Sequence, residues 1–218
     1  NMTGFSEEPW VDGVAGKALQ FNGVTASAKY DVVLNESKTM SSVVFWAKPD
    51  VPVDGRNDPN HVFKVNDGGL QKSFFFNASN SVPLHFQLLN QSAGGWMGTE
   101  PAHSNQYAGW IHCSMVSTPS DGQYDLYLNG QKTTLIKNDA GSGVFRFRVW
   151  FHLGPSGSRY RGVLDEFRIY DRILSEAEIQ TLYNSVQTPL ARTAGEHNAT
   201  VGAAFSLSLA ADNAPTTY

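Results

Sequence analysis

Short runs of alternating apolar and polar residues, cut apart by glycine-bearing turn signals, are the feature that most restricts this chain. Ser41–Lys48, Ser73–Asn77, Leu84–Leu89, Trp110–Val116, Tyr124–Leu128, Gly143–Leu153 and Gly162–Tyr170 all read this way. Between them lie Asp67-Gly68-Gly69, Ala93-Gly94-Gly95, Asp121-Gly122 and Asn129-Gly130. Asn-Gly supplies the positive φ angles of a type I′ hairpin, so Tyr124–Leu128 and Gln131–Leu135 are expected to pair antiparallel. Many short strands at this spacing imply an all-β sandwich or barrel. With 17% charged and 12% aromatic residues, 20 glycines and 10 prolines in 218 residues, the chain fits a sandwich better than a helical bundle.

One helix is expected. Ser175-Glu176-Ala177-Glu178 is a capping box, in which the serine oxygen takes an orphan N–H and the glutamate reaches back. Leu174 and Ile179 form the matching hydrophobic staple. Ile179, Leu182 and Tyr183 share one face, and the helix is expected to end near Ser185 and to seal one edge of the sandwich. Past Pro189 the composition turns to alanine, threonine and serine. Residues 1–187 therefore read as one domain, and 188–218 as a linker plus the truncated first strand of a following domain. Both ends read as cuts from a longer protein.

Sixteen basic and twenty acidic residues, with no basic run, argue against a nucleic-acid surface, and no apolar run approaches a membrane span. The lone cysteine, Cys113, alternates with Ile111 and Met115 and reads as a buried structural thiol.

Gly16-Lys17-Ala18-Leu19-Gln20-Phe21-Asn22-Gly23 opens a series of further segments. Ser42–Pro49, Trp110-Ile111-His112 and Leu126–Gly130 follow. The series closes on Gly162-Val163-Leu164-Asp165-Glu166-Phe167-Arg168-Ile169-Tyr170-Asp171-Arg172, then Leu174-Ser175 and Glu178-Ile179. In this order and spacing, over about residues 10–187, they resemble the laminin-G-like domains of the concanavalin A-like lectin/glucanase superfamily. The tail more weakly resembles the start of a bacterial immunoglobulin- or cadherin-like module. The resemblance implies a jelly-roll sandwich of two antiparallel sheets with one short C-terminal helix. It also implies a place in large extracellular proteins, hence a secreted or cell-surface location beside other domains of the same parent chain. Sequons at Asn1, Asn35, Asn77, Asn90 and Asn198 point the same way.

Catalysis is tested on residues. Sandwich glucanases carry a Glu-x-Asp-x-Glu type strand, which none of the eight glutamates here heads. Lyases of the fold carry Gln-x-His; the nearest arrangement is His85-Phe86-Gln87, in reverse order. No enzyme is expected. Asp165 lies in an otherwise apolar strand, where a lone charge is costly. The resemblance implies a structural Ca²⁺ on Asp165 and Asn22 with backbone carbonyls; the alternatives are solvent exposure or an ion pair with Arg168.

Alternation leaves a mixed face on several strands: Trp46, His112, His85 with Gln87, and Trp150 with His152. Aromatic rings stack on sugar C–H faces, while imidazole and amide groups bond hydroxyls. These six residues are the candidate ligand set, unless they lie as secondary core with satisfied polar tips. Trp96, Arg159 and Tyr160 are candidates for its rim. The expected function is a non-catalytic carbohydrate-binding module that tethers its parent protein to a polysaccharide or glycan. The alternatives are an adhesion or spacer module and, last, a degenerate polysaccharide enzyme. Glycan binding implies exposed Trp46, His112 and Trp150 in one groove; an adhesion module implies that the groove is plugged.

Overall fold

A computed structural model describes residues 2–3, 9–31, 38–39, 41–50, 60–66, 71–79, 82–90, 95–99, 109–117, 124–138, 146–147, 150–153 and 160–187. The first strands are β1 (Met2–Thr3), β2 (Trp10–Asp12), β3 (Lys17–Asn22), β4 (Ser27–Asp31), β5 (Lys38–Thr39) and β6 (Ser42–Pro49). β7 (Asn60–Asn66), β8 (Gln71–Ser79), β9 (Val82–Asn90) and β10 (Gly95–Thr99) form a run of hairpins. Then come β11 (Ile111–Ser117), β12 (Tyr124–Leu128), β13 (Gln131–Lys132), β14 (Leu135–Asn138), β15 (Arg146–Phe147) and β16 (Trp150–Leu153). β17 (Arg161–Tyr170) leads into α1 (Glu176–Gln187).

The strands form an eight-stranded sheet, β1-β4-β16-β7-β8-β9-β10-β14, and a seven-stranded sheet, β13-β12-β11-β6-β17-β3-β2, with β15 and β5 as a separate pair. Every pairing is antiparallel, as an all-β sandwich requires. The inward residues of the two sheets meet around Phe45. Its ring stacks on Phe167 at 5.3 Å and meets Phe74 edge-on at 5.5 Å, with Phe63 beside them. Cys113 is buried in this core with Ile111 and Met115, and burial pushes its thiol well up.

Asn129 and Gly130 adopt φ of 51° and 76°, the left-handed pair a type I′ turn needs. Asn129 also accepts the His112 N–H through Oδ1 at 2.9 Å and so ties the turn to β11. The second arm of this hairpin is shorter than expected. Gln131 and Lys132 pair with β12, Thr133 donates its N–H to the Leu126 carbonyl at 2.8 Å, and Leu135 onward crosses to β10 in the other sheet. The Gly143–Leu153 run divides into β15 and β16, which belong to different sheets.

Between β17 and β6 the register shifts, so that Glu166 and Phe167 together stand opposite Phe45. Glu166 takes φ 49° at this bulge. The extra residue lets Leu164 and Phe167, three positions apart, both enter the core. Asp165, still in register opposite Trp46, faces away from this core.

The capping box forms as the sequence implies: Glu178 N–H donates to Ser175 Oγ at 3.3 Å, and Ser175 N–H to Glu178 Oε2 at 2.8 Å. Leu174 and Ile179 are buried together with Val44, Val116 and Tyr127. The helix therefore lies across the outer face of the seven-stranded sheet, not along an edge, and runs to Gln187. On the sheet face Ile179 is fully buried, and Leu182 packs partly buried against the same cluster. Ser175→Ala is expected to lower stability by about 1 kcal/mol, read from the urea midpoint. Residues 188–218, including the strand proposed for a following domain, lie outside the described residues, as do the sequons Asn1, Asn35 and Asn198.

Candidate functional site

The candidate ligand residues separate onto two sheets. Trp46 and His112 are direct cross-strand partners on β6 and β11, on the outer face of the seven-stranded sheet. Tyr183 of α1 closes over them. Its ring stacks on Trp46 at 5.7 Å and meets His112 at 5.6 Å, and the two sheet residues touch at 5.1 Å. Trp46 is 3% exposed and His112 1%. The expected open groove is therefore plugged here, because the apolar stripe of α1 needs the same rings that a sugar would use.

Polar groups are trapped beneath the helix. A crevice lined by Trp46, His112, Glu166, Arg168, Leu182 and Ser185 runs along it. The Arg168 guanidinium bonds Glu166 Oε2, so Arg168 pairs with Glu166 and not with Asp165. Burial, aided by the Arg168 charge, lowers the His112 imidazole to about 4. Among the described residues His112 Nδ1 and Ser114 Oγ find no hydrogen-bond partner. Tyr127 O–H donates to Glu176 at 3.2 Å and Ser42 Oγ accepts the Leu174 N–H at 3.0 Å, clamping the start of the helix to the sheet.

Asp165 has no solvent exposure. Its Oδ2 accepts the N–H groups of Val14 and Ala15 at 2.8 and 3.1 Å, and its Oδ1 that of Glu166 at 2.8 Å. Asn22 lies elsewhere. It pairs with Arg161, four positions back along β17, or about 13 Å at the strand rise. Its Oδ1 accepts the N–H groups of Val24, Thr25 and Ala26 and closes the β3–β4 turn. A calcium ion shared by Asn22 and Asp165 does not fit this geometry: the groups facing each oxygen are N–H donors, which cannot ligate a cation. Among the described residues no cluster of three acidic, histidine or cysteine side chains forms.

His85, Gln87, Trp150 and His152 belong to the eight-stranded sheet. Gln87 stands next to Leu88, the cross-strand partner of the core residue Phe74, and His85 is two positions further on. Trp150 and His152 pair with Asn66 and Lys64 on β7, beside the core pair Leu153 and Phe63. These are strand positions; the four side chains, with those of Trp96 and Arg159, lie outside the described set. Tyr160 is core and not rim, with its O–H donating to the Val163 carbonyl at 3.1 Å and its ring edge-on to Phe21. Tyr183, which closes over the Trp46–His112 pair, is legible in the sequence only as part of a helix core face.

A laminin-G-type family model, described as the concanavalin A-like lectin/glucanases superfamily, matches residues 21–180. The chain belongs to this superfamily. Solved structures share the superfamily fold at low identity. A native heptameric SAP-like pentraxin from Limulus polyphemus aligns at TM-score 0.54 and 14% identity, over 79% of this chain and 84% of its own. Domain 4 of AbnA, an extracellular GH43 arabinanase from Geobacillus stearothermophilus, solved with arabinotriose, aligns at TM-score 0.50 and 19% identity over 80% of each chain. The receptor-binding domain of botulinum neurotoxin D aligns at TM-score 0.61 and 12% identity, over 84% of this chain and 47% of its own. No curated protein sequence matches the chain.

Proposed function

We propose that this chain is a non-catalytic carbohydrate-binding module, which tethers a secreted or cell-surface multidomain protein to a polysaccharide or glycan. The outer face of the eight-stranded sheet is its binding surface, with Trp150, His152, His85 and Gln87 as the contact positions. The carrying observation is that α1 occupies the outer face of the seven-stranded sheet, which directs ligand binding to the other sheet. The fold it shares with an arabinotriose-binding domain supports the reading. So does the engagement of the described carboxylates near α1: Glu166 with Arg168, Glu178 with the Ser175 cap and Arg172, Asp165 with backbone N–H groups. Tethering acts by raising local concentration.

The plugged Trp46–His112 face also suits the second reading, an adhesion or spacer module without sugar binding. A polysaccharide and glycan array separates the two. The expected result is binding to at least one glycan. Trp150→Ala then weakens it at least tenfold at unchanged melting temperature, as for a central aromatic anchor. Trp46→Ala instead lowers stability, because Trp46 packs under α1. Failure to bind any glycan would leave the adhesion reading.

A further inference from the structure

Polar ties fasten the start of α1 to the rest of the domain. Leu174 N–H donates to Ser42 Oγ, Tyr127 O–H to Glu176, and Arg172 pairs with Glu178 of the cap. The second half of the helix rests instead on rings, through Tyr183 on Trp46 and His112. Among the described residues of α1, Ile179 is the last to be fully buried; Leu182, Tyr183 and Val186 beyond it are half-buried. Ser185, which borders the crevice, donates its hydroxyl back to the Leu182 carbonyl of its own helix at 2.8 Å. Beneath lie the unpartnered His112 Nδ1 and Ser114 Oγ, two positions apart on one face of β11. Unpaired buried polar atoms are costly, and lifting the helix end would return both to water. Half-burial above and unmet polar groups below make this the end of α1 that opens first.

The groups around His112 set the sign of its response to acid. β17 presents Arg168 and Glu166, which are paired with each other. β12 presents Tyr127, bonded to Glu176 of α1, and Asp125, paired with Lys132. β6 presents Trp46, with Lys48 two positions on. The nearby carboxylates are thus engaged elsewhere. Burial and the Arg168 charge both oppose a cation on the ring and hold it at about 4. Below the ordinary histidine value of 6.5, a proton on His112 therefore favours any state in which the ring reaches water.

We infer that the second half of α1 is an acid-opened cover: protonation of His112 lifts residues 180–187 from the seven-stranded sheet and bares Trp46, while the capped first turn and the sandwich stay folded. The cover lies on the other sheet from the proposed glycan surface, so the two are tested separately.

Hydrogen exchange of the whole chain, read by mass spectrometry at pH 7, 6 and 5 and corrected for the intrinsic exchange rate, tests it. Protection of residues 180–187 should fall about twentyfold from pH 7 to pH 5, the ratio set by one imidazole at about 4 when covered and 6.5 when bare. Near pH 5 the fall should approach about tenfold per pH unit, the slope of one proton, with β6 and β11 still protected. Global unfolding would also bare His61, on β7 of the other sheet, and give the slope of two protons. His61→Gln should therefore leave the response of residues 180–187 unchanged, and His112→Gln should abolish it. If His112→Gln fails to fold, the slope in the unaltered chain and in His61→Gln decides. Protection independent of pH, a two-proton slope, or loss in step with β6 and β11 would overturn the inference.

Discussion

Between pH 6.5 and pH 5 the domain is expected to lose about 3 kcal/mol of stability, about 1.5 from each of two buried histidines. His112 under α1 is lowered to about 4, first by burial and then by Arg168; His61 on β7 is lowered to about 3, by burial and then by Lys64. The sign follows from the ordinary histidine value near 6.5. Above it neither the folded nor the unfolded chain holds the proton, and the full stability is present. Below it the unfolded chain takes up a proton at each site that the folded domain refuses until about pH 4 or 3, so stability falls as the pH falls. At their ordinary values glutamates and aspartates barely titrate above pH 5; Asp165, held above its ordinary value, acts with the opposite sign, so the fall is the histidines'. Urea midpoints at pH 7, 6 and 5 at constant ionic strength measure it. His112→Gln and His61→Gln should each flatten the slope by about half, whatever they do to stability at pH 7. A pH-independent midpoint across this range would mean that both rings are hydrated.

Replacing Asp165 by alanine should destabilise the domain by about 4 kcal/mol, because three backbone N–H groups lose their acceptor where little water reaches. Burial holds the Asp165 carboxyl above its ordinary value, with the N–H donors of Ala15, Glu166 and Val14 pulling the other way. Asp165→Asn keeps one of the two acceptor oxygens and should cost less. Gly13 makes the same point from the opposite side: a Cβ there would stand 2.2 Å from Asp165 Oδ2 and 2.9 Å from the Ala18 Cβ. Gly13→Ala must therefore displace the β2–β3 loop from the carboxylate and should weaken the fold comparably. Because the loop is held by N–H donors, the melting temperature should be the same in EDTA and in calcium. A drop of several degrees in EDTA would restore the metal as the pin between the first and last strands.

Much of the fold was legible because it rests on local chemistry. Alternation located β6, β11, β12 and β17, Asn129-Gly130 its hairpin, and Ser175–Glu178 the start of α1; each signal lies within a few neighbouring residues. The candidate site was less legible. Alternation assigned Trp46, His112, His85, Gln87, Trp150 and His152 to mixed faces but could not say that β6 and β11 share one sheet while β9 and β16 share the other. Nor could it show which mixed face the helix would take.

Local pattern specified an all-β sandwich of this superfamily, its capped helix, its core cysteine and the demand that Asp165 find a partner. What that partner is depends on contacts between distant segments: the carboxylate accepts the N–H groups of Val14 and Ala15, over 100 positions away. Tertiary structure alone also laid α1 over Trp46 and His112. The physical reason is common to both: periodicity and turn chemistry act between near neighbours, whereas sheet order, register shifts and counter-charges are set by which distant strands bury their apolar faces together.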